Sequence, residues 1–209
     1  MTPDVLKSRL RRSLRPAGAW DADTRAVGSD YDLNPGIQPP TKPLRAAAVL
    51  APLVVRPEGV SVILTRRSDA LASHSGQIAF PGGRLDPGET AVEAALREAR
   101  EEVALDPGAV EVLGLGDVYE TVTGFLVTPV IGWLEHPQQL TPSPDEVAEV
   151  FEAPWDFLMD AANHRRDNYV LNGATRWFWA MPWNDRYIWG ATAGILRALS
   201  VRLGQEEAA

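Results

Sequence analysis

Residues 97–105 read REAREEVAL. They place Glu98, Glu101 and Glu102 within little more than one helical turn. Residues 98 and 102 are four apart and share a helix face, and 101 lies three beyond 98. Like charges at these spacings cost about 0.2–0.5 kcal/mol per pair on an isolated helix, part of which Arg97 can offset by pairing with Glu101 or Glu93. Two readings compete. One is a solvated helix face with scattered ion pairs, the common origin of Glu-rich helices. The other is a site for a hard divalent cation, since Mg²⁺ takes oxygen ligands and is usually held by one or two carboxylates plus substrate phosphates. The helix by itself favours the first.

The elements around the run must position it. Thr90 and Glu93 form a T-x-x-E capping box that starts a helix over residues 90–105. Val92, Ala95, Leu96, Ala99 and Val103 recur at spacings of three and four, so they predict a buried stripe with the carboxylates roughly opposite. Upstream lies FPGGRLDPGE, a Gly-Gly turn that lets backbone approach a ligand closely, with Glu89 just before the cap. Residues 45–55 and 60–67 are β-branched runs around RPEG and predict an antiparallel hairpin. Residues 77–83, 110–121, 125–134 and 147–154 read as further strands, the last leading into the short helix WDFLMD. NYVL, TRWFWAMP and RYIW read as short extended pieces. Their tryptophans suit core packing or a dimer contact better than stacking on a base. Residues 190–204 predict a closing helix with Ile195, Leu196, Leu199 and Leu203 buried. Strands and helices are mixed without regular alternation, which predicts an α+β fold, an α/β/α sandwich with a mixed sheet.

Residues 3–14 suggest an amphipathic helix with Val5, Leu6, Leu10 and Leu14 on one side. Residues 16–44 carry Pro16, Pro35, Pro39, Pro40 and Pro43 and read as an irregular connection. The expected organisation is an N-terminal helix and Pro-rich arm over 1–44, a main domain over 45–204 and a tail over 205–209. The formal net charge of −8 argues against nucleic acid and against an anionic membrane surface, both of which require a basic patch. The absence of cysteine excludes disulfides, thiolate nucleophiles and Cys-ligated zinc. No apolar run approaches the roughly 20 residues that span a bilayer. The N-terminus lacks the apolar core of a signal peptide. The expectation is a soluble cytoplasmic protein.

Gly83, Glu89, Arg97, Glu98, Glu101 and Glu102 together resemble the Nudix box, G-x5-E-x7-R-E-U-x-E-E-x-G-U with U apolar. Every interval is kept from Gly83 to Leu105, and the pattern departs once, at Ala104, where the box has glycine. That glycine would end the helix in a left-handed conformation, so alanine costs about 1 kcal/mol there or the helix ends another way. The resemblance implies a loop-helix-loop metal site on an α/β/α sandwich, and hydrolysis of a diphosphate linked to some other group. It implies Mg²⁺ or Mn²⁺ held by Glu98 and Glu102, with Glu101 as a third ligand or water-activating base and the Gly83 carbonyl completing the shell. Arg97, with Glu89, would orient the carboxylates.

Residues 63–83, ILTRRSDALASHSGQIAFPGG, resemble the additional motif of the coenzyme A pyrophosphatases within that superfamily. Leu64, Thr65, Arg67, Ser68, His74, Gly76, Gln77, Phe80 and Pro81 fit it. Ala72 stands where an arginine is common, and Ser75 where a proline often stands. The resemblance implies substrate contacts from Arg67, Ser68, His74, Gln77 and Phe80. Residues 124–132, 145–154 and 188–196 resemble further blocks of the subfamily. By position they offer Glu146 as a carboxylate from outside the box acting as base or ligand, with Glu149 as the alternative. The implied substrate is a nucleoside diphosphate of the coenzyme A type, cleaved to 3′,5′-ADP and a 4′-phosphopantetheine product. ADP-ribose or a dinucleotide is the alternative, and a non-catalytic ligand sensor a third. A homodimer is a further expectation.

Overall fold

The computed structural model describes residues 1–39, 41–69, 76–171 and 173–208. In chain order it contains helix α1 (Pro3–Ser13) and strands β1 (Gly28–Ser29), β2 (Arg45–Arg56), β3 (Gly59–Arg67), β4 (Ile78–Ala79) and β5 (Gly82–Arg84). Helix α2 (Ala91–Val103) follows, then strands β6 (Glu111–Leu115), β7 (Tyr119–Glu120), β8 (Phe125–Leu134) and β9 (Val147–Pro154). Helix α3 (Trp155–Met159), strands β10 (Arg165–Leu171), β11 (Ala174–Trp183) and β12 (Arg186–Trp189), and helix α4 (Ala191–Ala208) complete the chain. Among the described residues no helix is long and apolar enough to cross a membrane.

Strand β2 is the spine of a mixed sheet. It runs parallel to β8 along ten residue pairs, from Arg45↔Phe125 to Val54↔Leu134. On its other side β5 pairs antiparallel with residues 47–49 and β3 with residues 53–56, so β5 and β3 lie end to end. Pro52 has no N–H to donate, and it sits in the gap between those two ladders. Beyond β3 the sheet continues into β9 and β4, and beyond β8 into β6, β7 and β1. Strands β10, β11 and β12 form a separate antiparallel sheet.

The period of two in β2 divides the core. Ala48, Leu50 and Val54 face α2, where Ala91, Ala94, Ala95, Ala99 and Val103 pack against them. Ala47, Ala51 and Leu53 face the opposite layer, built by Leu6, Leu10 and Leu14 of the N-terminal segment and Ile195, Leu196, Leu199 and Leu203 of α4. This is an α/β/α sandwich. Four alanines on the buried face of α2 leave no bulk between helix and sheet, which lets the helix lie close to β5.

The N-terminal region differs in two respects from its sequence. Val5 is exposed, because Leu6, Leu10 and Leu14 recur every four residues and turn their own line inward. The connection over 16–44 also contributes structure: β1 pairs parallel with β7. Asp30 accepts bonds from the Tyr119 hydroxyl (3.0 Å) and the Val122 N–H (2.8 Å). Further along, the Asn34 side chain bonds both the N–H and the carbonyl of Trp177, each at 2.8 Å.

Candidate active site

Helix α2 starts as its sequence dictates. Thr90 Oγ1 accepts the Glu93 N–H, and Glu93 Oε2 accepts the Thr90 N–H at 2.8 Å. The helix ends at Ala104, which takes the left-handed conformation (φ 55°, ψ 29°) where the box has glycine. The N–H groups of Ala104 and Leu105 bond back to the carbonyls of Arg100 and Ala99. The chain therefore keeps the glycine geometry and accepts the strain of a Cβ in it.

The carboxylates do not lie opposite the buried stripe, as the helical wheel suggests. Glu98 and Glu102 continue the line of Ala91 and Ala95, so they border the stripe and turn toward β5. Glu102 is only 4% exposed, and its Oε2 accepts the Gly82 N–H at 3.2 Å. Burial pushes its carboxyl up to about 7, with the Gly82 bond opposing and the charge of Glu98 adding to the rise. The Glu98 carboxyl is raised too, chiefly by burial, against the bond from Arg97 and with Glu101 and Glu146 adding repulsion. Glu98 packs over Gly83, and a Cβ at Gly83 would collide with its carboxylate. Gly82 likewise lies against Ala48 and Val49 with no room for a side chain. The Gly-Gly pair is thus what lets two carboxylates approach the strand.

Arg97 organises the outer part of the cluster. Its Nε and Nη2 donate to the two oxygens of Glu89 at 2.7 and 2.9 Å. Its Nη1 donates to Glu98 (2.9 Å) and Glu101 (3.2 Å), and Nη2 also reaches the Arg84 carbonyl (3.1 Å). The guanidinium holds the Glu89 carboxyl down at about 2. Glu101 is mostly exposed.

A second segment closes the site. The Thr141 and Ser143 N–H groups bond to the carbonyls of Val103 and Glu102, and the Glu146 carbonyl accepts the Ser68 N–H at 2.8 Å. These bonds tie the loop before β9 to the end of α2 and to the end of β3. The charge of Glu146 acts on both Glu98 and Glu102. Its own carboxylate makes no hydrogen bond or ion pair among the described residues. Glu149, the alternative, is paired instead with Arg186 and Arg66.

Arg67 bears on the same cluster. Its charge opposes the rise at Glu102, and its Nε is buried with no hydrogen-bond partner among the described residues. Its N–H bonds to the Gln77 carbonyl (3.0 Å) and its carbonyl accepts the Gly76 N–H (3.2 Å), which joins the end of β3 to residues 76 and 77. Ser68 is buried just beyond the end of β3. His74 lies outside the described residues. A substrate contact from Phe80 is not what the structure provides: the ring is 4% exposed and packed into the core on the α4 side, because β4 and β5 turn it inward between them. The Gly82 N–H, the Arg84 carbonyl and the Thr141 and Ser143 N–H groups also shape the site without any signature in the sequence. They are backbone atoms, which no residue type announces.

Among the described residues no three acidic or histidine side chains converge closely enough to hold an ion as they stand, and Arg97 bonds oxygens of Glu98 and Glu101. Glu98 and Glu102 nevertheless suit a hard cation. Both are oxygen donors one turn apart on one face, and both are pushed up by burial in the absence of enough positive charge.

Residues 44–174 match the NUDIX domain family. The uncharacterized Nudix hydrolase NudL of Escherichia coli O7:K1 (strain IAI39 / ExPEC) is 42% identical over 173 residues, covering 82% of this chain and 90% of that protein. NudL of Escherichia coli strain K12 is 41% identical over the same share of each. Among solved structures, the Nudix hydrolase RenU of M. Smegmatis is 25% identical, over 57% of this chain and 76% of that one, with a TM-score of 0.45. The family match spans more than half of the chain and the NudL alignments run nearly the full length of those proteins, so the chain belongs to the NUDIX domain family.

Proposed function

We propose that this Nudix hydrolase splits the diphosphate of coenzyme A or a coenzyme A derivative, releasing 3′,5′-ADP and a 4′-phosphopantetheine product. The observation that carries the reading is the attachment of the 63–83 motif to the carboxylates. Arg67 acts on Glu102, Ser68 holds the Glu146 carbonyl, and Gly82 bonds Glu102. A motif resembling that of the coenzyme A pyrophosphatases thus forms one wall of the site.

Nudix hydrolases generally use divalent metals such as Mg²⁺ or Mn²⁺. Glu98 and Glu102, with Glu101 and the Gly83 carbonyl, would hold the ion, which neutralises the diphosphate and activates water when bound. The remaining roles belong to the chain. Arg97 fixes Glu98 and Glu101 through its fork on Glu89. Arg67 presents an unsatisfied buried N–H to a phosphate oxygen. Glu146 takes the proton of the attacking water, because its carboxylate has free acceptor sites and faces Glu98 and Glu102. One P–O bond forms from water and the bridging P–O bond breaks, so the second phosphate leaves with the bridging oxygen.

A panel of coenzyme A, ADP-ribose, NADH and oxidised dNTPs tests the reading. The expected result is highest kcat/KM on coenzyme A, with product analysis in ¹⁸O-water locating the attacked phosphorus. A wide preference for another compound would support the second reading, a hydrolase of ADP-ribose or a dinucleotide, which Ala72 in place of an arginine favours. A metal-dependent binder without turnover would need eroded box carboxylates, and all four are present.

A further inference from the structure

Arg45 and Arg84 are both exposed, and both guanidinium groups lie over the ring of Phe125, at 4.0 and 5.5 Å from its centroid. Neither has a carboxylate partner among the described residues. In a chain with 28 acidic and 20 basic residues, two uncompensated cations on one ring stand out. Beyond the Phe125 ring, no carboxylate among the described residues offsets their mutual repulsion. Stacking occupies the faces of the guanidinium groups and leaves most of their in-plane N–H donors open. One donor of Arg45 is used, on the Thr123 carbonyl at 3.0 Å.

The strand topology brings this pair to the active site. Arg45 pairs with Phe125 across β2 and β8, and Arg84 pairs with Ala47 across β5 and β2. Ala47 faces the α4 layer and Ala48, the partner of Gly83, faces α2. Arg84 therefore projects from one face of β5 while Glu98 covers Gly83 on the other. The outer edge of β5 has no strand partner among the described residues, because β3 lies beyond its end along β2. A ligand lying across that open edge meets carboxylates on one face and the two arginines on the other. The Arg84 carbonyl accepts from Arg97, which ties the residue bearing one arginine to the side chain that holds the carboxylates.

We infer that Arg45 and Arg84, braced on Phe125, form a second anion site that binds a phosphomonoester of the substrate separate from the diphosphate under attack. The ligand class is a nucleoside bisphosphate derivative, in which the 3′-phosphate engages the arginines. The inference rests on the coenzyme A reading and makes this pair its specificity determinant. A phosphate dianion between two guanidinium forks removes their repulsion and gains charge-assisted hydrogen bonds.

Two measurements test it. The first compares kcat/KM on coenzyme A and on 3′-dephospho-coenzyme A, for the wild type and for an Arg45→Gln/Arg84→Gln double variant. The expected ratio is about tenfold or more in the wild type and near one in the double variant. The second titrates the protein calorimetrically with 3′,5′-ADP and 5′-AMP. Tighter binding of the bisphosphate is expected in the wild type and similar binding of the two in the double variant. A wild-type ratio near one, or a ratio unchanged by the double substitution, overturns the arginine site while leaving coenzyme A as substrate. Absence of turnover of both compounds ends the coenzyme A reading instead, and the titration still judges the arginines: equal affinities overturn them, and a bisphosphate preference lost in the variant sustains them.

Discussion

Arg97 grips both oxygens of Glu89 in a fork, at 2.7 and 2.9 Å, from nearly two turns into the helix that Glu89 precedes. The same guanidinium holds Glu98 and Glu101, so one side chain sets the position of three carboxylates. Arg97→Ala is expected to lower kcat/KM by about 10–100-fold through the loss of that orientation. It should also lower stability by about 2 kcal/mol, since Glu89 is left without its charged partner. Arg97→Lys keeps the charge and loses the fork, so it should recover stability more than activity; full activity in Arg97→Lys would show that geometry is unimportant. Chemical denaturation and steady-state kinetics on the same preparations separate the two effects.

The Glu89 carboxyl also sets an acid limit. Its folded value of about 2 lies below its ordinary 4.5. The folded state thus binds fewer protons, and the stabilisation is complete above about 4.5 and disappears as pH falls toward 2. The expected result is a steeper loss of stability over that window in the wild type than in Glu89→Gln. Parallel curves for the two proteins would contradict it.

Glu102 works in the opposite direction. Its carboxyl is raised from 4.5 to about 7, so the metal-free fold prefers it protonated, and stability falls as pH rises between those values. The full effect is about 3 kcal/mol. Glu102→Gln keeps an acceptor for the Gly82 N–H and removes the buried charge. It should therefore be more stable than the wild type at pH 8 without divalent metal, and inactive. Added Mg²⁺ or Mn²⁺ should raise the melting temperature of the wild type more than that of the variant. An active Glu102→Gln enzyme would remove the metal-ligand assignment.

Gly83→Ala places a methyl where the Glu98 carboxylate now lies. Glu98 must swing away, with an expected loss of about 10–100-fold in kcat/KM and a higher metal concentration for half-maximal activity. Unchanged metal dependence would argue that Glu98 does not hold the ion in place.

Ala104→Gly relieves the left-handed strain at the end of α2. A gain of about 0.5–1 kcal/mol is expected from denaturation curves, with kinetics unchanged. A destabilised variant would mean that the alanine methyl contributes packing that outweighs its backbone cost.

Much of this site was legible because the spacing of charged residues on a helix is a local property. Glu98, Glu101, Glu102 and Arg97 sit on α2, and the capping box fixed where that helix begins. The burial of Glu102 was not legible, since it depends on how near α2 lies to β5, and that follows from alanines and glycines meeting across the layers. Phe80 illustrates the same limit: a motif position suggested a ligand contact, while the turn between two short strands aimed the ring at the core. The preference for Glu146 over Glu149 came from position alone, and the partners of Glu149 were not legible. Arg186 and Arg66 claim Glu149, and they come from β12 and β3.

Asn34 bonds the backbone of Trp177 across 143 residues of sequence. Asp30 anchors the same segment to Tyr119 and Val122. Residues 28–37 precede all of these partners in the chain, and Tyr119 and Val122 precede Trp177. The contacts at Tyr119 and Val122 can therefore form before the one at Trp177. A premature stop after β9 would leave Asn34 with no strand to join and Asp30 holding an unfinished molecule. One short segment thus ties the two sheets together, and its second tie requires β11 to be present.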